Sequence, residues 1–293
     1  MNIMAFYLCI KIKKSHRYVL EEVILLKTFF IEQAKRTGTL KSIIHKVNKK
    51  GNKIIINSNL EKAKFKTKIR IAKEIKNILL REKSKQIVIE RNLKKEKELI
   101  NLIYSYNINI CDKKWLFKQI INEIIEDTLK DKKKEESEIH ICVNETDIKI
   151  EELIYKFAKE FKRINIITNH IGKFKKIEEQ LYESDGILIN LTNNRRKSLL
   201  KAELILNIDF PKEILNQFTI FDDAIIIDLE GDVKIKKKRF NGTIINDYEI
   251  ILNENDEISK FIKENNLENY DERDICQVIE AIPKESIKKT RKI

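Results

Sequence analysis

Apolar positions along the chain fall into two kinds of run. Short runs dense in Ile, Val and Leu occur in "KQIVIE" (85–90), "NINIC" (107–111), "EIHICVN" (138–144), "INIIT" (164–168), "GILINL" (186–191), "AELILNID" (202–209) and "DDAIIIDLEG" (222–231). Between them lie longer stretches with apolar residues three or four apart: "KKEKELINLIYSY" (94–106), "KKWLFKQIINEIIEDTLKDKKKEE" (113–136), residues 149–161, "GKFKKIEEQLYES" (172–184) and the short "PKEILNQF" (211–218). Runs of the first kind read as buried strands and those of the second as amphipathic helices. Their strict alternation predicts βαβ units and a mainly parallel sheet, since parallel neighbours need a helical crossover. Right-handed crossovers leave a Rossmann-like, doubly wound sheet as the simplest topology for the C-terminal half.

The first third is organised differently. "YVLEEVILLKTFFIEQAKRTG" (18–38) has helical spacing, an acidic start, a basic end and a glycine placed as a C-cap, and is predicted as a helix. "LKSIIHKVNKKGNKIIINS" (40–58) reads as a hairpin turning at "KKGN", and residues 59–83 as a long amphipathic helix with a lysine- and arginine-rich face. The charged run "KDKKKEESE" (130–138) marks a domain boundary near Ser137. The expectation is a smaller basic α/β domain over 1–137, ending in a long connecting helix, and a Rossmann-like domain over 138–293. The tail, "ISKFIKENNLENYDERDICQVIEAI" (258–282), adds two helical segments.

Charge separates the same two regions. The chain carries a net +13, but residues 1–100 hold 26 Lys and Arg against 9 Asp and Glu, whereas 101–293 hold 33 against 37. Such asymmetry suits a polyanion, and nucleic acid bound through residues 41–97 is the partner it suggests, beside a plain solvated surface. Cys9, Cys111, Cys142 and Cys276 stand far apart, as do His16, His45, His140 and His170, so neither a disulfide framework nor a metal centre is indicated. The longest apolar stretch, "VILLKTFFI" (23–31), is shorter than the roughly 20 residues of a membrane span, and the N-terminus lacks the order of a secretory signal. A cytoplasmic protein is expected.

"EIHICVNETDIKIEELIYKFAKEFKRINIITNH" (138–170) has the strand, turn, helix, strand order that opens a dinucleotide-binding unit, without a single glycine. Glycines there let the backbone approach a pyrophosphate at a helix N-terminus. The turn "VNETDIKIEE" instead places Glu145 and Asp147 where phosphates would sit. After the second strand no carboxylate is positioned for a ribose 2′-hydroxyl, so Thr168, Asn169 and Lys173, with Lys175 nearby, form a candidate set for a 2′-phosphate or an ordinary helix start. Asp209 and Asp228 close strands at the sheet edge where such folds bind ligands, and "NNRRKS" (193–198) is a basic loop near it.

The order of "INIITNHIGKF", "AELILNIDFP", "DDAIIIDLEG" and "KRFNGTIINDYEI" resembles the cofactor domain of shikimate dehydrogenase and its relative glutamyl-tRNA reductase, over roughly residues 86–283. That resemblance implies an NAD(P)-binding domain beside a small α/β domain. The chain departs from it at the glycine turn, and it lacks both the lysine-bearing substrate motif of the first family and the cysteine context of the second. The expected function is therefore a degenerate NAD(P)-binding-like protein without catalytic residues, acting as a sensor, scaffold or ligand-binding protein. No cofactor is expected, and NADP or a nucleotide or phosphate ligand if any. The alternatives are a polyanion-binding module and an NADP-dependent oxidoreductase.

Overall fold

The computed structural model describes residues 28–34, 46–130, 132–236, 239–254, 256–283 and 289–292. The chain divides into two compact units, Met1–Leu116 with Leu252–Glu285, and Phe117–Ile251 with Ser286–Ile293.

The first unit is built on β1 (Thr28–Gln33), β2 (Val47–Lys50), β3 (Lys53–Ile56), β4 (Gln86–Ile89) and β5 (Asn109–Ile110), in the order β2-β3-β1-β4-β5. All neighbours are parallel except the β2–β3 hairpin. Gly51, at φ +59°, opens the two-residue loop of that hairpin, where the turn needs a residue free to enter the left-handed region. Helices α1 (Phe65–Arg81) and α2 (Lys97–Tyr104) pack Ile71, Ile75, Leu79, Leu99 and Ile103 against Phe29, Ile31, Ile54 and Ile87 on one face of the sheet. Each such side chain stabilises the fold by about 1.5–3 kcal/mol through burial. On the opposite face, Phe30 meets Tyr270 edge-on at 5.4 Å.

In the second unit β6 (Glu138–Cys142), β7 (Arg163–Ile167), β8 (Asn190–Thr192), β9 (Leu204–Asn207), β10 (Ile225–Asp228), β11 (Thr243–Glu249) and β12 (Lys289–Lys292) form one sheet in the order β12-β11-β10-β9-β6-β7-β8. Counted from β6 this is the 3-2-1-4-5-6 order of dinucleotide-binding folds, with an antiparallel strand added at one edge. Helices α5 (Ile148–Glu160) and α6 (Ile171–Asp185) make the first two crossovers, and a four-residue helix, α7 (Lys212–Leu215), lies between β9 and β10. An added Cβ at Gly242 would run into the carbonyl of Ala224, so the close approach of the β10–β11 connection depends on that glycine. The Rossmann-like α/β architecture expected of the C-terminal half is present, with its buried strands in "ICV", "INIIT" and "AIIID".

Several local expectations change. Residues 28–33, read as part of a helix, are β1, the central strand of the first sheet; the rest of the 18–38 segment, apart from Ala34, lies outside the described residues. A strand covered on both faces loses its alternation, so "TFFI" has no period to tell it from a helix. The long connecting helix is two, α3 (Lys113–Gln119) and α4 (Ile121–Leu129), interrupted at Ile120. The division between units falls at Phe117, and the tail helices α8 (Glu257–Glu264) and α9 (Glu272–Ile279) belong to the first unit.

Candidate functional site

The chain order of the second sheet reverses between β6 and β9, and in such sheets the crevice beyond the carboxyl ends at that reversal is where ligands bind. Here β6 runs into the glycine-free turn, and the backbone N–H groups of Asn144 and Glu145 point across the crevice. Their partner is internal. Asn144 N–H donates to both carboxylate oxygens of Asp209, at 2.8 and 3.0 Å, and Glu145 N–H donates to Oδ2 at 2.8 Å. Asp209 lies just past the end of β9, so its side chain fills the nest that a pyrophosphate would occupy in a dinucleotide site. Burial raises its pKa, opposed by the two N–H donors, while the negative charges of Glu145 and Glu230 raise it further.

The residues proposed for a 2′-phosphate come to the same edge with different tasks. Thr168 is fully buried, and its hydroxyl accepts the N–H of His170 at the start of α6. Asn169 is exposed; its N–H donates to Asn144 Oδ1, tying the end of β7 to the first turn. The Lys173 ammonium donates to Glu145 Oε2 at 2.6 Å and holds that carboxyl below its ordinary range. Lys175 is exposed. Asp147 is not aimed at a ligand: it caps α5 by accepting the N–H of Ile150.

Asp228 has no exposure and is consumed by structure. Its carboxylate accepts the Asn207 side-chain amide at 2.8 Å and the N–H groups of Glu230, Gly231 and Val233. Asn207, equally buried, bonds the backbone of Phe210 through both its oxygen and its nitrogen. The basic loop folds around Asn194, whose side chain accepts the N–H groups of Arg196 and Lys197, with Arg195, Arg196 and Lys197 exposed.

The first unit carries a second polar site, unseen in the sequence. A cleft of about 360 Å³ opens at the ends of β4 and β5, lined in part by Lys94, Tyr104, Cys111 and Arg273. Beside it Asp274 is fully buried on α9. Lys94 lies against one carboxylate oxygen as an ion pair. Burial pushes the Asp274 carboxyl up to about 7, against the pull of Lys94. Asp271, at the N-cap of α9, is held down at about 2 by Arg273, which bonds both its oxygens. Asp274 is legible only as a carboxylate on the apolar stripe shared with Ile275 and Val278. Burial raises the Cys111 and Cys276 thiols to about 12, which keeps them protonated and poorly nucleophilic. Cys9 lies outside the described residues.

The basic helix α1 exposes Lys66, Arg70, Lys73 and Arg81, with Phe65, Ile69 and Leu80 exposed among them. Arg70 pairs with Glu74, and Lys68 is buried against Glu96 and Glu98, so the positive face is narrower than its sequence. Among the described residues no three His, Cys, Asp or Glu side chains gather as metal ligands, and no helix is long and apolar enough to cross a membrane.

No family model and no curated protein matches the chain in sequence. Solved structures similar to it include L-tryptophan dehydrogenase from Nostoc punctiforme, at 8% identity and TM-score 0.34, covering 86% of this chain and 78% of that one. Ornithine carbamoyltransferase from Pyrococcus furiosus matches at 9% identity and TM-score 0.27, over 70% and 73% of the two chains. Aspartate transcarbamoylase from Trypanosoma cruzi, solved with aspartate and phosphate, matches at 9% identity and TM-score 0.27, over 69% and 70%. Likeness this slight gives no residue a role; the Rossmann-like assignment stands on the strand order of the second sheet.

Proposed function

We propose that this chain is a non-catalytic protein of Rossmann descent whose dinucleotide cradle is closed by its own side chains. The observation that carries the reading is the Asp209 carboxylate bound by the Asn144 and Glu145 N–H groups. A pyrophosphate entering there would displace a carboxylate already held by short hydrogen bonds and would meet the charge of Glu145. The Glu145 carboxylate is exposed and already paired with Lys173, so its main effect is to occupy the cation that a phosphate would need. Lys173, the nearest cation for a 2′-phosphate, is engaged with Glu145. The likeness to the cofactor domains of shikimate dehydrogenase and glutamyl-tRNA reductase then describes ancestry, and the role left to the unit is that of sensor or scaffold.

Calorimetric titration of the native chain with NADPH is expected to give no binding heat. Removing the internal anion in Asp209→Ala with Glu145→Gly should free the nest and bring NADPH binding to a dissociation constant below about 1 mM, roughly −4 kcal/mol. A micromolar constant for the native chain would instead support an NADP-dependent oxidoreductase.

A second reading rests on α1. Its exposed Lys66, Lys73 and Arg81 supply a cationic strip for a polyanion, with the exposed ring of Phe65 on the same helix for base stacking. With three phosphates neutralised, affinity for a short single strand should fall about tenfold between 50 and 150 mM salt. Charge reversal of Lys66 and Lys73 should abolish that dependence. Binding insensitive to salt would remove this reading.

A further inference from the structure

β8 is an outer strand of the second sheet, and among the described residues it pairs with β7 alone. Its Thr192 carbonyl accepts the N–H of Thr168, just past the end of β7, so the backbone of Thr192, and of Asn190 two residues earlier, faces inward. Successive residues of a strand turn their N–H and C=O groups to opposite sides. Those of Leu191 therefore point out past the sheet, flanked by those of Ile189 and Asn193. Such a row is an open template for another strand, and folds commonly guard it with lysine, proline or a bulge. β2, an edge of the first sheet, carries exposed Lys49 and Lys50. The segment "GILINLTNN" (186–194) has no charge and no proline. Leu188, just ahead of β8, is 73% exposed, and Tyr182, on the last turn of α6, is 60% exposed.

Charge decides which strand fits this edge. It is acidic at its start, where α6 ends with Glu183 and Asp185, and basic at its finish, where Arg195, Arg196 and Lys197 stand exposed. Asp185 is paired with Lys159 at 3.1 Å, whereas among the described residues Glu183 and the three cations form no ion pair. A second copy laid parallel would set acid against acid and base against base. An antiparallel copy, related by a two-fold axis at Asn190, brings the end of α6 in each chain to the level of the basic loop in the other, Asp185 beside Arg195. In that register Leu191 meets Ile189 of the second copy. Both turn their N–H and C=O groups outward, as an antiparallel hydrogen-bonded pair requires. One patch thus complements itself in shape and in charge, the condition for a closed two-fold contact.

We propose that two copies of this chain associate antiparallel through β8, making one sheet continuous across the pair, with the acidic end of α6 set against the Arg195–Lys197 loop of the second copy. Leu188 packs across the new ladder. The contact uses neither the Asp209 nest nor α1, and it stands whether or not that nest admits a dinucleotide.

Sedimentation equilibrium of the full chain should show monomer and dimer exchanging with a dissociation constant of about 1–100 μM, as suits a small contact, and weakening as salt is added. Arg195→Glu with Arg196→Glu should weaken the dimer at least about tenfold, and so should Glu183→Arg with Asp185→Arg, because each sets like charges together at both ends of the ladder. Mixed in equal amounts, the two variants should associate at least as tightly as the native chain, each supplying the charge the other lacks. Leu191→Pro removes an N–H that faces away from β7 and should abolish the dimer. Leu188→Gln, at a position open in the single chain, should weaken it. Should a charge variant fail to fold, Leu188→Gln and the salt dependence decide. The inference is overturned by a native chain that stays monomeric to about 500 μM at low salt. It is equally overturned by a dimer that survives Leu191→Pro, or by folded charge variants whose mixture does not restore association.

Discussion

Replacing Asp228 with alanine is expected to lower the melting temperature of the second unit by roughly 10 °C. The carboxylate is fully buried and receives the Asn207 amide together with the N–H groups of Glu230, Gly231 and Val233. Alanine would leave the buried Val233 N–H and one hydrogen of the buried Asn207 amide without this acceptor, while the Glu230 and Gly231 N–H groups lie nearer to solvent. Removing one partner of a buried charged network destabilises by about 3–5 kcal/mol. For a unit of this size each kcal/mol shifts the midpoint by about 2–4 °C. Asp228→Asn, which keeps one acceptor oxygen, should fall between the two. An alanine variant melting within about 2 °C of the native chain would mean that the network contributes little to stability.

The second large effect concerns Asp274, where the expected change is a gain. Its carboxyl titrates near 7 in the folded chain, raised by burial, and near about 3.9 when unfolded. The folded state thus holds the proton more tightly. The stability this provides is fully present below about pH 4 and is lost as pH rises to about 7, beyond which the charged form is carried at a constant penalty. Asp274→Asn removes the titration. Its advantage over the native chain should be near zero at pH 4 and reach about 2–4 kcal/mol above pH 7, or roughly 5–10 °C. Lys94, left without its partner, is a third exposed and can turn to water. Melting curves at pH 4 and pH 8 check this. A variant less stable than the native chain at pH 8 would show that the Lys94–Asp274 pair outweighs the burial of its charge.

Both carboxylates bear on how far the chain can be read without its fold. Local pattern was sufficient for most elements. The strands of the second sheet and the helices between them follow from apolar period and run length, because each element buries one face or both whatever its neighbours are. The sequence already showed that "VNETDI" contains no glycine, so that every residue of the β6 turn carries a Cβ. It did not show that Asp209, 65 residues beyond Asn144, accepts the N–H groups of that turn.

What tertiary structure decided has a common physical origin in the layering of the sheets. β1 carries no helix-or-strand signal of its own because a central strand is apolar on both faces and has no period. The tail helices joined the first unit because its sheet has a second face to cover, where Tyr270 meets Phe30, and no local pattern names a distant partner. Asp274 sits within an apolar pattern at 0% exposure, and its chemistry comes from the burial around it and the ammonium beside it. Sequence determined which residues would be buried and in what kind of element. The pairing of strands determined which buried polar groups met a partner, because hydrogen bonds and charges act over a few ångströms and only the folded chain sets those distances.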